Sequence, residues 1–252
     1  MSISYIVREG VACIRFSRPE KLNALTLQMY EELGQAFNNA NEDETVRTVL
    51  LTGEGDRAFC VGADLLESIP ALAEGRFDIS EWDAAHLKMT GFYKPVITAI
   101  NGMCMGGGFE IMLASDIRIA SSDAVFSLPE ISLGIVPAGG TLVRLVRQIP
   151  YAYAMELMLS AERFSAARLA EMGVINKVVP AGELADVAWR YASALAKRSP
   201  VATAVIKEAA LALYDLPYSK AFKKEAELGQ RAFTSDQAQQ GLNRFKQSKR
   251  TG

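Results

Sequence analysis

The sequence predicts an α/β protein whose first half alternates strands with helices and whose second half is mainly helical. Two kinds of pattern support this prediction. Runs of β-branched and apolar residues at 47–51 and 96–100 end at Thr52-Gly53 and Asn101-Gly102, as buried strands do. Beyond about residue 180, most apolar residues recur at helical spacing.

In the first half, residues 4–7 and 12–16 flank Glu9-Gly10 and predict a β-hairpin. Apolar residues within 26–40 recur with the period of an amphipathic helix. Further strands are predicted at 117–120 and 124–126. The weakly patterned stretch 67–92, with Pro70, Gly75 and Gly91, predicts a loop that contains one or two short helices.

In the second half, helical spacing covers four stretches: 141–159, 166–172, 182–213 and 218–231. A strand-like run at 174–179 lies between the second and the third. We expect interruptions near Ser199-Pro200 and Leu216-Pro217, because proline ends helices. Ser235 is positioned to cap a last helix.

Composition is that of an ordinary globular protein. Half of the 252 residues are apolar, 22% are charged and the formal net charge is −2. We expect no nucleic-acid partner, because no basic face is concentrated in the chain. No apolar run reaches the roughly 20 residues of a membrane span and no signal peptide precedes the first strand, so we expect a cytoplasmic protein that does not bind membranes.

Three consecutive glycines, Gly106, Gly107 and Gly108, join a strand-like run to an apolar helical segment. Glycines at such a turn leave the first helical N–H groups free at the positive end of the helix dipole, where an oxyanion is stabilised. The alternative is a tight turn that lets helix and sheet pack closely. A second turn, at Gly62-Ala63-Asp64, offers another accessible N–H group and an acid, Asp64, near the start of the next helix.

Two glutamates follow buried segments. Glu110 lies in the first turn after the glycines, and Glu130 follows Pro129, 20 residues later. Each could be a plain acid at a helix start. Two carboxyl groups that converge in a dry pocket would instead have separated pKa values, and one could act as a base and the other as an acid.

Other catalytic motifs fit the sequence poorly. There is no Gly-x-Ser-x-Gly elbow, phosphate-binding loop or dinucleotide fingerprint. One histidine and three cysteines without ligand spacing do not predict a metal site. We expect Cys13, Cys60 and Cys104 to be reduced thiols, and Cys104 to be a poor candidate nucleophile.

The motifs, taken together and in order, resemble the enoyl-CoA hydratase/isomerase (crotonase) family. The resemblance runs from Arg18-Pro-Glu-Lys-Leu-Asn-Ala-Leu25 through Ala58-Phe-Cys-Val-Gly-Ala-Asp-Leu65 and Gly106-Gly-Gly-Phe-Glu110 to Phe126-Ser-Leu-Pro-Glu130 and Gly173-Val-Ile-Asn-Lys-Val-Val179. It covers nearly the whole chain.

The resemblance implies a spiral of ββα units over residues 1–195, followed by a helical region at 196–252 through which three chains assemble, as a homotrimer or a homohexamer. It implies an acyl-coenzyme A substrate and no separate cofactor. By position, the N–H groups of Ala63 and Gly107 would form an oxyanion hole, and Glu110 and Glu130 would hold a water molecule.

Coenzyme A would lie along a set of residues that the resemblance also assigns by position: Asn23, Ala24, Ala63, Asp64, Leu65, Leu66, Gly106 and Pro129. Lys246 or Lys249, in the basic C-terminal cluster, would reach its phosphates; alternatively the cluster is a solvated tail.

One segment departs from the family pattern, and a second is expected to determine the shape of the acyl pocket. The turn Pro137-Ala-Gly-Gly140 is one residue shorter than in typical hydratases and predicts a changed water position. The segment 67–92, with Trp82, His86 and Met89, would shape the acyl pocket. His86 is predicted to be a pocket-wall or surface residue, with a third catalytic role as the alternative.

These features favour an enzyme that adds water to a 2-enoyl-CoA thioester or removes it. A second interpretation is another enolate reaction of the family, namely double-bond isomerisation, racemisation or thioester hydrolysis. A third is a weakly active interaction protein, against which the near-neutral charge and the presence of both glutamates count.

Overall fold

The computed structural model describes residues 2–88 and 91–248. Within them the strands are β1 (Ile3–Arg8), β2 (Val11–Phe16), β3 (Thr48–Gly53), β4 (Ala58–Cys60), β5 (Val96–Ile100), β6 (Met103–Met105), β7 (Ile117–Ser121), β8 (Val125–Ser127), β9 (Phe164–Ser165) and β10 (Lys177–Val179). The predicted hairpin is confirmed, because β1 pairs with β2 in antiparallel register from Ile3–Phe16 to Arg8–Val11.

The strands form two sheets. The larger has the order β1-β2-β3-β5-β7-β10, and all its pairs except β1–β2 are parallel. The smaller has the order β4-β6-β8-β9 and is parallel apart from its last pair. Consecutive strands alternate between the sheets: β3 is followed by β4, β5 by β6 and β7 by β8. This repeated crossing confirms the expected spiral of ββα units.

The sequence did not reveal most of the smaller sheet. Its strands are two or three residues long, which is too short to show an alternating pattern. Only β8 (Val125–Ser127) overlaps a predicted strand, at 124–126.

The helices of the described chain are α1 (Leu27–Glu42), α2 (Ser68–Ala73), α3 (Gly107–Leu113), α4 (Thr141–Gln148), α5 (Tyr151–Ser160), α6 (Ala166–Glu171), α7 (Leu184–Ala196), α8 (Pro200–Ala212), α9 (Tyr218–Phe233) and α10 (Asp236–Ser248). None is long and apolar enough to cross a membrane. Thr26 caps α1 by accepting a hydrogen bond from the Met29 N–H at 3.2 Å, and Ser235 caps α10 as predicted.

The prediction of one helical stretch over 141–159 was wrong. Ile149 is extended, with φ −135° and ψ 165°, and it separates α4 from α5. Pro150 explains the break, because proline disfavours helical geometry in the residue before it and cannot donate a hydrogen bond. The interruptions predicted before Pro200 and Pro217 are both present.

The main core lies between the sheets and the helices that flank them. α1 buries Met29, Leu33 and Phe37 there. A second cluster packs α7 on the larger sheet, where Val187 and Ala188 meet Ile97. The helices after α7 contribute little to either cluster, since Val205 and Leu228 are the buried residues of α8 and α9. The division at residue 195 stays a prediction.

Candidate active site

A cavity of about 660 Å³ opens between α1, α3, the turn that precedes α2, and the loop that follows β8. Both predicted N–H donors and both predicted glutamates border it, and Tyr30 and Trp82 form part of its wall. The chain brings these groups together because β4 and β6 are neighbours in the smaller sheet and both lead directly into the cavity.

The two backbone segments of the predicted oxyanion hole touch each other. Gly106, with φ 50°, turns the chain from β6 into α3, which begins at Gly107. A Cβ on Gly62 would lie only 2.7 Å from the Gly107 nitrogen. Only glycine at position 62 therefore permits this approach.

Within the described chain, the N–H groups of Ala63 and Gly107 donate to no hydrogen bond, although their neighbours do. Gly62 accepts from the Leu25 N–H at 2.8 Å, and the Asp64 N–H donates to Leu25 at 2.8 Å. These two bonds fix the turn and leave the Ala63 N–H available. The Gly107 N–H is available because the first N–H groups of a helix have no intrahelical partner.

Glu110 lies in the first turn of α3 and is only 6% exposed. Its Oε1 accepts a hydrogen bond of 3.3 Å from the Thr141 N–H. Burial raises the pKa of Glu110 to about 7, and the nearby Glu130 carboxylate adds to the rise.

Glu130 begins a short 3-10 turn, Glu130–Leu133, and is also buried. Its Oε1 lies 3.1 Å from the position that a Cβ would take on Gly106, so it faces the turn that carries the oxyanion hole. Its Oε2 has no hydrogen-bond partner among the described residues. Burial raises the pKa of Glu130 as well. The structure therefore places two carboxyl groups of perturbed acidity beside two free N–H groups.

Comparison with known proteins agrees with this arrangement. The sequence model of the enoyl-CoA hydratase/isomerase family matches residues 7–251. The chain belongs to the enoyl-CoA hydratase/isomerase family. Its relatives include a carnitinyl-CoA dehydratase of Proteus mirabilis, 37% identical over 226 residues, which are 88% of this chain and 85% of that protein.

Another relative is the enoyl-CoA hydratase EchA19 of Mycobacterium tuberculosis, 35% identical over 92% of this chain and 88% of that one. A crystal structure of enoyl-CoA hydratase from Bacillus anthracis superposes with a TM-score of 0.93 at 33% identity, and covers 98% of this chain and 97% of that chain. The expected crotonase fold is thus confirmed over the whole spiral and the C-terminal helices.

The short turn of this family member, Pro137-Ala-Gly-Gly140, still reaches the site. A Cβ on Gly139 would lie 2.6 Å from Glu110 Oε2 and 2.4 Å from His86 Nε2. The absence of a side chain at position 139 lets the turn close over the carboxyl group. The N–H groups of Gly139 and Thr141 lower the pKa of Glu110, although burial outweighs them.

An aromatic wall, defined here as Tyr30, Trp82 and His86, stands behind this site. The rings of Tyr30 and Trp82 stack with centroids 3.9 Å apart and an interplanar angle of 11°. Sequence patterning identified Tyr30 only as an apolar position of α1, and no signal distinguished it from Met29 or Leu33.

His86 is fully buried rather than a surface residue, which corrects one of the two positions predicted for it. Its Nδ1 lies 3.0 Å from the Trp82 carbonyl oxygen, so this nitrogen carries the proton and Nε2 presents a lone pair. Burial lowers the pKa of His86 to about 4. The predicted pocket residue Met89 lies outside the described residues.

The predicted coenzyme A contacts differ in accessibility. Leu65 borders the cavity and is 60% exposed, and Pro129 and Gly106 also border it. Leu66 is 90% exposed and is not among the residues that line the cavity. Ala24 is partly exposed. Asn23 is fully buried: its side chain accepts from the Arg18 N–H at 2.9 Å and donates to the Ala58 carbonyl oxygen at 2.9 Å. The Asn23 side chain therefore joins the turn that begins at Arg18 to β4. Because this side chain is buried, its position does not support the predicted contact with coenzyme A.

Asp64 lies near the start of α2, as predicted: its Oδ1 accepts a hydrogen bond of 2.9 Å from the Leu66 N–H, and its carbonyl oxygen accepts one of 2.9 Å from the Ser68 N–H. It precedes that helix by four residues and pairs with Arg18 at 2.7 Å. The hydrogen bond from Arg18 lowers the pKa of Asp64. Arg18 and Asp64 thus clamp the turn that presents Ala63.

Of the two predicted phosphate contacts, only Lys246 lies within the described residues, and it does not border the cavity. Lys246 is exposed on α10, and Lys249 lies outside the described residues. Cys60 and Cys104 are buried free thiols whose pKa is raised by burial, which disfavours a nucleophilic thiolate at either position. In residues 2–88 and 91–248, no group of three acidic, histidine or cysteine side chains could hold a metal ion.

Proposed function

We propose that this chain catalyses the addition of water to the double bond of a 2-enoyl-CoA thioester and the reverse dehydration. The observation that carries the proposal is the meeting of two unengaged N–H groups, on Ala63 and Gly107, with two buried carboxyl groups, on Glu110 and Glu130. The names of the relatives describe both directions of this reaction on acyl-CoA substrates.

The N–H groups of Ala63 and Gly107 would bind the thioester oxygen. Negative charge develops on that oxygen when a nucleophile adds to the β-carbon, and fixed donors stabilise the enolate-like state without having to reorganise. The loss of one such donor costs roughly 3–4 kcal/mol in comparable sites.

Glu110, in its ionised form, would accept a proton from the water that attacks the β-carbon. Glu130, in its protonated form, would deliver a proton to the α-carbon. Dehydration reverses both transfers. This chemistry needs no additional cofactor, because protons move only between water, the two carboxyl groups and the substrate.

The electrostatic environment of Glu110 and Glu130 supports a mechanism in which one carboxyl group acts as a base and the other as an acid. A carboxyl group with a pKa of about 7 can exchange a proton near neutral pH, whereas an ordinary glutamate is ionised there. Burial and mutual repulsion disfavour a second negative charge in the cavity, so one proton is shared by the two groups at neutral pH.

The acyl group would lie against the apolar part of the cavity, which is bordered by Leu72, Phe77, Ile79 and Trp82. We expect an apolar acyl chain of modest length, because 660 Å³ must also admit the reacting water and part of the pantetheine. Leu65, which borders the cavity, and the neighbouring exposed Leu66 would contact the coenzyme A arm. A basic residue of the C-terminal cluster would contact its phosphates.

We further propose that the helices after residue 195 assemble the chain as a homotrimer or a homohexamer in the cytoplasm. α8, α9 and the connection between them expose several large apolar side chains, and an exposed apolar surface of this kind favours association with another chain: Ile206, Leu211, Tyr214, Tyr218, Phe222 and Phe233. Analytical ultracentrifugation tests the assembly, and a purely monomeric protein would contradict it.

The test of activity is a spectrophotometric scan of purified protein against crotonyl-CoA and longer or branched 2-enoyl-CoA thioesters. We expect loss of the conjugated absorbance and formation of the 3-hydroxyacyl thioester. Tight binding of these thioesters without hydration would instead indicate another enolate reaction of the family. No binding of any acyl-CoA would contradict an enzymatic role on this class of substrate.

A further inference from the structure

The phenol of Tyr30 occupies a special position in the cavity. Its oxygen lies 2.7 Å from the point that a Cβ would take on Gly107, and the Ala63 nitrogen lies 3.6 Å from the same point. A side chain that projects from α1 therefore reaches the two backbone segments of the oxyanion hole.

The Tyr30 hydroxyl makes no hydrogen bond with the described residues. Although the residue as a whole is only 3% exposed, its hydroxyl is not among the fully buried polar atoms that lack a partner. A hydroxyl that can donate but has no partner in the protein is free to bond to water or to a ligand. Tyr30 borders the same cavity as Glu110 and Glu130. The group that completes this hydroxyl must therefore come from whatever occupies the cavity.

The ring of Tyr30 is held rigidly. It stacks on Trp82 at 3.9 Å and lies 5.6 Å from the His86 ring, between centroids. A donor with a fixed direction stabilises developing charge better than a mobile one, because nothing has to reorganise during the reaction.

We propose that Tyr30 is a further catalytic residue, whose hydroxyl donates a third hydrogen bond to the thioester oxygen beside the N–H groups of Ala63 and Gly107. The proposal rests on the hydration chemistry proposed above and adds a side-chain donor to it. Among the apolar positions of α1, tyrosine rather than phenylalanine is then required at position 30.

The protonation state of Tyr30 agrees with this role. Burial raises its pKa well above the ordinary value, and the neighbouring charges of Cys60, Glu110 and Glu130 add to the rise. The phenol therefore keeps its proton over the pH range in which the two glutamates titrate, and it remains a donor throughout.

The test compares Tyr30→Phe with Tyr5→Phe. Phenylalanine keeps the stack on Trp82 and removes only the hydroxyl. Tyr5 is a suitable control because its hydroxyl likewise has no partner among the described residues, while its position on β1 is not among those that border the cavity. We expect Tyr30→Phe to lower kcat about 10- to 100-fold with KM nearly unchanged, and Tyr5→Phe to match the wild type.

A second readout follows the enolate directly. A 3-oxoacyl-CoA thioester ionises at its α-carbon, and its enolate absorbs in the near ultraviolet. We expect the pKa of the bound 3-oxoacyl-CoA to be about one unit higher in Tyr30→Phe than in the wild type, as the loss of one hydrogen bond to a charged oxygen predicts. A residue that only supports the fold would not move this value.

Equal kcat and equal enolate pKa in the wild type and Tyr30→Phe would overturn the proposal. Should Tyr30→Phe fail to fold, a crystal structure of the wild type with bound 3-oxoacyl-CoA decides instead, and a phenol oxygen more than about 3.5 Å from the thioester oxygen would overturn it. A wild type that binds 3-oxoacyl-CoA but hydrates no enoyl-CoA would refute the proposed function, while the enolate titration would still test Tyr30.

Discussion

The spiral core and the C-terminal helices use glycine in opposite ways. A Cβ on Gly108, at the start of α3, would lie 2.2 Å from the Cys60 carbonyl oxygen. A Cβ on Gly53 or Gly102 would also lie within 2.6 Å of backbone atoms. Gly229 in α9 and Gly241 in α10 have nothing within 4 Å of the same point. Glycine is thus required by packing at these three core positions, whereas at positions 229 and 241 it only lowers helix propensity.

The contrast extends to the apolar side chains. The core buries its large residues completely, for example Phe16, Phe59 and Phe109. In α9, Tyr218 is 83% exposed and Phe233 is 79% exposed. The chain fixes the geometry of its site by its own packing, whereas its last three helices present surfaces that only a further molecule could cover.

The largest effect is expected from the pair of buried carboxyl groups. Glu110→Gln and Glu130→Gln should each lower kcat by about a thousandfold, because general acid–base catalysis contributes 10²–10⁴-fold. Dissociation constants for free coenzyme A should change little, since neither carboxyl group lies at the mouth of the cavity. Steady-state kinetics and calorimetry measure both quantities.

Glu225→Gln, on the exposed face of α9, is the matched control for these variants and should retain full activity. Near-normal turnover of either cavity variant would remove that glutamate from the mechanism.

A change at Gly108 should destabilise the core strongly. Gly108→Ala forces α3 away from Cys60, and overpacking of this kind costs roughly 1–3 kcal/mol or more. Because α3 carries Gly107 and Glu110, we expect activity to fall together with the melting temperature. A Gly108→Ala protein with normal melting and normal kcat would show that the close approach of α3 and β4 is not required.

How far the sequence predicts this molecule depends on the length of each pattern. α1 and the hairpin β1–β2 are long enough to show their periods, and both were predicted. β4 and β6 are three residues each, too short to show a period, so the smaller sheet was missed. Ile149 was missed because the apolar spacing continues across Pro150.

The sequence predicted the site residues that belong to motifs but not those that reach the site through tertiary packing. Gly107, Glu110 and Glu130 belong to sequence motifs, and the resemblance to the family assigned them together. Tyr30 and His86 belong to no motif, and they reach the site only through the tertiary packing of α1 and the segment before β5. The pairing of Asp64 with Arg18 was not predicted, because Arg18 lies 46 residues away in sequence.

Glu110 should make the stability of the fold depend on pH. The folded-state pKa of Glu110 is raised to about 7, so its ionisation destabilises the fold as pH rises from about 4.5 to 7, and the loss is complete above 7. Glu110→Gln should therefore be more stable than the wild type at pH 8, by up to about 3 kcal/mol, and equal to it near pH 4.

Thermal melts at fixed protein concentration from pH 4 to 9 measure this difference. A constant difference between Glu110→Gln and the wild type at every pH would contradict the raised pKa.

The smallest effect is expected at the glycines of the C-terminal helices. Gly229→Ala meets no neighbouring atom and replaces a poor helix former, so it should stabilise α9 by roughly 0.5–1 kcal/mol. Chemical denaturation measures the change. A loss of stability would indicate that position 229 is covered by another chain in the assembled protein. The C-terminal helices would then be packed by a partner chain, whereas the core is packed by its own chain.

The most direct test of the central claim is a crystal structure of the protein with a bound acyl-CoA that cannot be hydrated. We predict that the thioester oxygen lies about 3 Å from both the Ala63 and the Gly107 nitrogens, with the carboxyl groups of Glu110 and Glu130 facing the α- and β-carbons. A thioester oxygen directed away from these two nitrogens, or carboxyl groups that face other parts of the ligand, would contradict the proposed chemistry.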